Sequence, residues 1–202
     1  MSLARIPPGS RKQVGWLAWG GAQAAGLVNG TAPLNLFLTL GRQRKLFRGW
    51  LHFAGRLMPG GTLRRRESEL VILRVAHLRG CQYELDHHVR LSHRAGVDDA
   101  DVARVFAGPS AAGWTPREQA LLTAVDMLHE LQDLDDATWA ELNTHLDEPQ
   151  CIELCLLVGH YEMLATTITA LRIQSDRPRR GRLARGLPGR GVRRRLGRPP
   201  VP

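Results

Sequence analysis

The sequence of 202 residues predicts an all-α fold. Apolar residues recur three or four positions apart along most of the chain, which is the spacing of one face of a helix. Residues that start or stop helices, such as Asp, Pro and Gly, separate these stretches. No stretch between the turn signals alternates apolar and polar residues over four or more positions, as a strand would. We therefore expect a compact helical domain.

In the first 80 residues the sequence predicts a partly irregular N-terminal segment followed by two helices. Residues 1–30 are interrupted by Gly and Pro, so we expect a partly irregular lead with a short helix. A helix should begin at Asn35 and end at the turn Pro59–Gly61. The apolar positions of this helix are Leu36, Leu40, Phe47, Leu51, Ala54 and Met58. A second helix begins near Arg66 and ends at Gly80, a typical C-terminal glycine.

Start signals divide the rest of the chain. A third helix is expected from Cys81, with Gly96 ending it, and Asp98 or Asp99 can cap a short helix after it. The strongest signal for a helix start is at Thr115, which can cap a helix. Pro116 fits the first helical position, and Glu118 can close a capping box with Thr115. Two further helices should follow residues 135 and 147, and the last, apolar nearly all round, should be central.

The distribution of charged residues distinguishes the C-terminal segment from the rest of the chain. The formal net charge is +9, but residues 177–202 hold ten arginines and no acid, which leaves 18 bases against 19 acids elsewhere. We expect residues 31–174 to form the helical domain and residues 175–202 to be a disordered tail rich in Arg, Pro and Gly. Nucleic-acid binding by this tail is not expected, because no aromatic residue interleaves the arginines.

The remaining composition favours a cytoplasmic protein without membrane contact. Three cysteines do not make a disulfide scaffold in a chain of this length. No apolar run reaches the length of a bilayer-spanning helix by inspection. The basic start of the chain faintly resembles a signal peptide, but glycines dilute the apolar stretch and no cleavage site follows it.

One segment carries the chemistry. Cys81 lies at a predicted helix start, where backbone N–H groups and the helix dipole favour a thiolate. Glu84 and His88 follow three and seven positions later, on the same helix face, and can form a proton relay with the thiol. Glu69, on the preceding helix, can approach the same place. The alternative is an inert core thiol beside an ordinary pair of charged side chains.

The same residues carry a family resemblance. Arg65-Arg66-Glu67-Ser68-Glu69-Leu70, then Gly80-Cys81-Gln82-Tyr83-Glu84-Leu85 with His88, and the helix from Ile152 to Leu164 resemble the carboxymuconolactone decarboxylase family, which includes alkylhydroperoxidase D-like proteins. The resemblance runs from about Pro33 to Ile173. It implies an all-helical homo-oligomer that works without a cofactor.

The resemblance implies roles position by position. In the alkylhydroperoxidase branch, Glu69 matches the upstream acid, Cys81 the first cysteine of a redox pair, and His88 the later histidine. Tyr83 stands where that branch has its other histidine and Glu84 where it has the second cysteine, so no local disulfide can form. The decarboxylase branch has Cys-x-Tyr-Glu-Trp-x-x-His, which this chain follows except for leucine at position 85.

Other residues complete the candidate site. His160 and Tyr161, on the last helix, can line a pocket, and Arg74 is the nearest candidate cation for a substrate carboxylate. Cys151 and Cys155 are expected to pack in the core, although either could serve as a resolving thiol. A metal site is not expected, because the adjacent histidines at positions 87 and 88 point about a hundred degrees apart and no second cluster has ligand spacing.

Three functions compete. The favoured one is a peroxiredoxin-type alkylhydroperoxidase in which Cys81 attacks a hydroperoxide, Glu84, His88 and Glu69 manage protons, and an external thiol regenerates the enzyme. The second is a cofactor-free decarboxylase of carboxymuconolactone-like ring acids, in which Glu84 or His88 protonates carbon as CO₂ leaves. The third is a non-enzymatic oligomeric scaffold whose basic tail binds nucleic acid.

Overall fold

The computed structural model describes residues 3–179, and these residues form an all-α fold. The helices are α1 (Arg11–Asn29), α2 (Asn35–Leu40), α3 (Arg44–Leu57), α4 (Arg65–Leu78), α5 (Gln82–Ser92), α6 (Asp99–Ala107), α7 (Pro116–Leu131), α8 (Asp136–Asn143) and α9 (Glu148–Leu171). A 3₁₀ turn, His93–Ala95, extends α5. Within residues 3–179 the only β contact is an isolated bridge between Thr31 and Pro178. The predicted fold class is confirmed.

Local signals place the helix ends as expected. The side chains of Asp98, Thr115 and Asp147 accept hydrogen bonds from backbone N–H groups in the first turns of α6, α7 and α9. Gly80 and Gly96 have φ angles of 59° and 79°, the left-handed conformation that ends a helix without strain only for glycine. These signals depend on neighbours in sequence, so they could be found without the structure.

The helix expected over residues 35–58 is instead two helices, α2 and α3. The break falls at Gly41, where the chain passes very close to α1. A Cβ atom at this position would lie 2.6 Å from the Cβ atom of Ala18 and 2.7 Å from the carbonyl oxygen of Phe37. The contact with Ala18 of α1 is tertiary, so helical periodicity alone does not reveal it.

The N-terminal lead also differs from expectation, because residues 11–29 form a full helix. Its buried side is made of small residues, among them Ala18, Ala22 and Gly26. A Cβ atom at Gly26 would lie 2.5 Å from the carbonyl oxygen of Ala32, so the helix and the following turn approach as closely as the backbone allows. Gly15, with φ of 83°, kinks the helix near its start.

Helix α4 lies at the centre of the molecule. It packs against α5, α6, α7 and α9, and every residue from Glu67 to Ala76 is buried. α9 closes the main core with Leu154, Leu157 and Leu164. By length and composition α9 could also cross a membrane, contrary to the inspection of the sequence, but a core helix that buries one side passes the same test.

Residues 174–179, the C-terminal strap, cross the beginning of α2. The Asp176 carboxylate accepts a hydrogen bond from the backbone N–H of Asn35 at 2.8 Å, and the backbone N–H of Ala32 donates to the carbonyl of Arg177 at 2.8 Å. Most of the strap lies within the segment expected to be a tail, so the packed body extends to residue 179. The rest of the predicted tail, residues 180–202, lies outside the described residues.

Candidate active site

The candidate site forms where α5 begins. Gly80 turns the chain after α4, and the backbone N–H of Cys81 donates to the carbonyl of Ala76 at 2.9 Å. Cys81 is the N-cap residue of α5, so Glu84 and His88 follow on the first and second turns of the helix. Both side chains are buried, and His88 contacts Glu69 of α4 and Tyr161 of α9.

Three charged side chains form a buried row. Nδ1 of His88 lies 2.8 Å from Oε2 of Glu69, and Nε2 of His88 lies 3.4 Å from Oε2 of Glu84. The second oxygen of Glu69, Oε1, is 2.7 Å from Nη2 of Arg65. The structure therefore brings together Glu69, Glu84 and His88, as the sequence predicts, and adds Arg65.

The two carboxylates hold a proton on His88. Burial alone would disfavour the imidazolium, but the contacts with Glu69 and Glu84 raise the pKa of His88 to about 9. With both ring nitrogens protonated, the imidazolium can donate to both carboxylates. The arrangement is a row of two carboxylates with one imidazolium between them, along which a proton can move without a large displacement of any group.

A pocket of about 320 Å³ adjoins this row. Its apolar wall is formed by residues of α2, the end of α3, α5 and α9: Leu34, Leu36, Phe37, Ala54, Leu57, Met58, Pro59, Leu91 and Leu164. Its polar lining includes Arg65, Glu84, His87 and His88. The size and the mostly apolar wall fit a small organic molecule.

Several buried polar atoms of pocket-lining residues have no hydrogen-bond partner within residues 3–179. They are Nε1 of Trp50, Oε1 of Glu84, Nδ1 of His87 and Nδ1 of His160. Burial lowers the pKa of His87 and of His160, so both imidazoles are neutral at neutral pH. A buried polar atom without a partner is costly, and a bound polar group would satisfy these atoms.

Cys81 does not line the pocket. Its side chain is buried, and burial raises the pKa of the thiol to about 11, although the backbone N–H groups of Glu84 and Tyr83 favour the thiolate. The structure thus corrects the expectation that the start of the helix would make this thiol acidic. At neutral pH the neutral thiol dominates.

Tyr83 is a structural neighbour of the row. Its hydroxyl donates to Oδ2 of Asp176 at 2.7 Å and accepts from the backbone N–H of Leu36 at 3.3 Å. Burial, together with the Asp176 carboxylate, raises the pKa of this hydroxyl, which therefore stays protonated. Its ring lines the pocket.

His160 and Tyr161 both line the pocket, as expected for the last helix. The His160 ring is nearly parallel to that of Trp50, with 6.1 Å between centroids and an interplanar angle of 10°. The Tyr161 ring meets the His88 ring edge to face, with 5.1 Å between centroids. The His160 and Tyr161 rings are nearly perpendicular to each other, at an interplanar angle of 81°, and Tyr161 contacts the charged row directly.

The structure does not bring Arg74 to the pocket. Its guanidinium forms a two-point ion pair with Asp126, at 2.6 and 2.7 Å, and donates to the carbonyls of Val105 and Phe106 at the end of α6. The cation at the pocket is Arg65, which sequence reasoning missed together with Trp50 and His87. The available signal for Arg65 was its position four residues before Glu69.

The other candidates lie elsewhere. Cys151 is buried, as expected, and its Sγ lies 3.7 Å from Oδ1 of Asn143. The expected core packing of Cys155 is wrong, because its side chain is on the outer side of α9 and is exposed; all three cysteines are free. Neither of these two lines the pocket. Among residues 3–179, no group of three His, Cys, Asp or Glu side chains is arranged to hold a metal ion.

Comparison with known proteins agrees with the family expected from the sequence. Residues 44–127 match the model of the carboxymuconolactone decarboxylase family. A peroxidase-related protein from Ralstonia eutropha JMP134, an alkylhydroperoxidase AhpD core, superimposes with a TM-score of 0.76 at 16% identity, covering 87% of this chain and 93% of that one. The debrominase Bmp8 gives a TM-score of 0.69 at 18% identity, covering 84% and 91%. These likenesses establish the fold. No curated protein matches the sequence.

Proposed function

Because residues 44–127 match the model of the carboxymuconolactone decarboxylase family, we propose that the protein is an enzyme that transfers a proton to or from carbon in a small, largely apolar ring acid. Glu84 is the group that meets the substrate. His88 supplies the proton, which stays on the product, and is reprotonated by water after the product has left. Glu69 is a positioning residue that holds His88 in place. This is the decarboxylase alternative of the sequence analysis rather than the reaction favoured there.

One observation supports this choice above the others. Glu84 lines the pocket with one oxygen, Oε1, free of partners, while its other oxygen faces the imidazolium of His88 at 3.4 Å. A carboxylate placed in this way can accept a proton from His88 and pass it to a bound molecule. The thiol of Cys81, by contrast, is excluded from the pocket lining.

A decarboxylase also needs a cation that binds the substrate carboxylate, and Arg65 can supply it. Its guanidinium borders the pocket and is partly exposed, so it can bind a substrate carboxylate. In the reaction the bond between the ring carbon and the carboxylate breaks, and CO₂ leaves. The bonding electron pair stays on the ring carbon, which takes the proton delivered through Glu84.

A second candidate is the thiol peroxidase. It is favoured by the position of Cys81 at the first turn of α5, where the N–H groups of Tyr83 and Glu84 oppose the effect of burial on the thiol pKa. Among proteins of this fold, a cysteine-to-alanine variant of the debrominase Bmp8 forms a complex with 2,3,4-tribromopyrrole. This reaction requires Cys81 to become exposed and an external thiol to reduce the sulfenic acid.

Two variants separate the candidates. We expect Glu84→Gln to reduce CO₂ release from a panel of ring carboxylates at least about a hundredfold, in the range of lost general acid–base catalysis, and Cys81→Ser to reduce it only slightly. Glu162→Gln, which changes a carboxylate outside the pocket, is the matched control. Release of CO₂ by Glu84→Gln at the wild-type rate would contradict the proposal.

The wild type and the same variants also test the thiol peroxidase alternative. Each is treated with one equivalent of an organic hydroperoxide and a sulfenic-acid trap, and the intact mass is measured. A rapid adduct on Cys81 that is absent from Cys81→Ser, without CO₂ release from any ring acid, would replace the first proposal by the second.

We also propose a homo-oligomer. α9 presents apolar side chains to the outside, with Ile152, Leu156 and Met163 each about half exposed or more. Large exposed apolar patches are typical of subunit contacts. Analytical ultracentrifugation of the full chain measures its oligomeric state. A monomer at all concentrations would contradict the proposed homo-oligomer.

A further inference from the structure

The chain divides into basic and acidic parts. Residues 1–66 contain 11 lysines and arginines and no Asp or Glu, whereas residues 67–176 contain all 19 acids and 7 bases. Residues 177–202 add the ten arginines of the tail. The formal charges of the three parts are therefore +11, −12 and +10. The net charge of +9 conceals this separation.

Most cations of the basic part have no acid to pair with. Arg64, Arg65 and Arg66 form ion pairs with acids of residues 67–176. The other eight form no ion pair within the described part of the chain, and all are exposed. They are Arg5, Arg11, Lys12, Arg42, Arg44, Lys45, Arg48 and Arg56.

Exposed aromatic side chains lie among these cations. Trp16 is 78% exposed and Trp19 is 37% exposed, both on α1. Trp16 and Leu17 line the same shallow depression as Arg44 and Arg48 of α3. The guanidinium of Arg11 lies 5.9 Å from the centre of the Trp19 ring. We call the group of Arg11, Lys12, Trp16, Leu17, Trp19, Arg44 and Arg48 the basic aromatic surface.

We propose that the basic aromatic surface docks the protein on an anionic lipid bilayer. Helices that lie in a membrane interface combine Lys and Arg with Trp, Phe and Leu, and Trp rings settle at the level of the headgroups. The cations then face lipid phosphates. This goes beyond the proposed function and beyond the absence of membrane contact expected from the sequence.

The charge pattern favours a lipid surface over two other occupants. Two copies of this chain that met through the same surface would bring like charges together, which is unfavourable in a two-fold contact. A nucleic acid would use the cations and the aromatic rings, but the aliphatic side chain of Leu17 gains little from a phosphate backbone. A bilayer interface accommodates all three kinds of side chain.

The arginines of the tail, residues 177–202, would add to the attraction between the protein and anionic lipid. The last described residue, Arg179, donates its backbone N–H to the carbonyl of Gly30 at 3.1 Å, beside the C-terminal end of α1. The sequence beyond it has eight more arginines and no acid. The arginine-rich sequence therefore starts beside α1, the helix that carries Trp16 and Trp19.

The test is flotation with lipid vesicles, using the full chain. We expect binding to vesicles of phosphatidylcholine with phosphatidylglycerol and none to phosphatidylcholine alone. Trp16→Ala with Trp19→Ala should weaken partitioning about tenfold through lost apolar burial. Arg44→Gln and Arg48→Gln should each weaken it roughly fivefold. Trp139→Ala, which removes a half-exposed tryptophan from α8 in the acidic part, should bind as the wild type does.

A chain ending at Arg179 separates the surface from the tail, and we expect it to retain binding that depends on Trp16 and Trp19. The proposal is overturned if the shortened chain does not bind and the tryptophan variants of the full chain bind normally, since the tail alone would then be responsible. It is also overturned if the tryptophan variants change the oligomeric mass, or if an oligonucleotide binds through these tryptophans more tightly than the vesicles do.

Discussion

A single histidine carries the charge of the candidate site. His88 is buried between Glu69 and Glu84, and the pair of carboxylates outweighs the cost of burying an imidazolium. Arg65 on the far side of Glu69 leaves the group of four without net charge. The site can thus hold a mobile proton next to an apolar pocket, which an isolated buried histidine could not do.

The stability of the protein should depend on the protonation of His88. Its pKa of about 9 in the folded protein is above the ordinary value of 6.5, so the folded state binds the proton more tightly. This contribution, of the order of a few kcal/mol, is fully present below pH about 6.5 and is lost as pH rises through about 9. Thermal unfolding measured across this range should show the loss.

The matched variant is His88→Gln, which cannot take the proton. We expect it to be less stable than the wild type at pH 6 and the difference to shrink as pH rises through the folded pKa. Comparing the two proteins removes the contributions of other groups that titrate at high pH. A constant difference from pH 6 to pH 10 would show that His88 is not charged in the folded state.

At the scale of elements, α4 has two opposite faces with different tasks. One face places Arg65 and Glu69 beside the pocket. The other places Arg74 among the end of α6 and Asp126 of α7. Arg74 comes nine positions after Arg65, which is half a turn away around the helix. Arg65 therefore borders the pocket, where we propose that it binds substrate, whereas Arg74 of the same helix holds α6 and α7 together.

Replacing Arg74 should destabilise the fold without changing substrate binding. Arg74→Ala leaves Asp126 and the carbonyls of α6 without their partner, and we expect a loss of about 3 kcal/mol in the free energy of unfolding. Arg79→Ala removes a more exposed ion pair, with Glu162, and should cost less than about 1 kcal/mol. Chemical denaturation measures both values. Equal losses would contradict this role for Arg74.

Local signals explain what could be predicted from sequence. The capping residues and the one-turn spacing of Cys81, Glu84 and His88 depend on near neighbours, so helix ends and the central row were accessible. The break at Gly41 and the full length of α1 depend on contacts between helices. These two features therefore could not be predicted from the sequence. The high thiol pKa of Cys81 and the replacement of Arg74 by Arg65 at the pocket likewise depend on packing.

For the whole molecule, the C-terminal strap connects the end of the chain to the pocket. Asp176 binds the backbone at the start of α2 and the hydroxyl of Tyr83, and Tyr83 in turn binds the backbone of Leu36. Both Leu36 and Tyr83 line the pocket. The pocket wall is thus held by residues from both ends of the sequence, although the chemistry lies in its middle.

Truncation should reveal this connection. A chain ending at Ile173 lacks the strap, whereas a chain ending at Arg179 keeps it. We expect the shorter chain to lose about 2–4 kcal/mol of stability, from one helix cap and one charged hydrogen bond, and to bind ligand more weakly. The longer one should match the full chain in unfolding experiments. Asp176→Asn in the full chain isolates the carboxylate. If both truncated chains were equally stable, the strap would have no structural role.

The parallel rings of Trp50 and His160 also provide an optical signal from inside the pocket. Of the five tryptophans in the chain, Trp50 is the one that lines the pocket. Indole emission is sensitive to the polarity around the ring, so a molecule that enters the pocket beside Trp50 would change the fluorescence. Trp16, Trp19 and Trp139 are exposed outside the pocket, so a quencher in solvent suppresses their emission first and leaves that of Trp50 and of the half-buried Trp114. The protein therefore carries its own label for a ligand screen that requires no knowledge of the reaction.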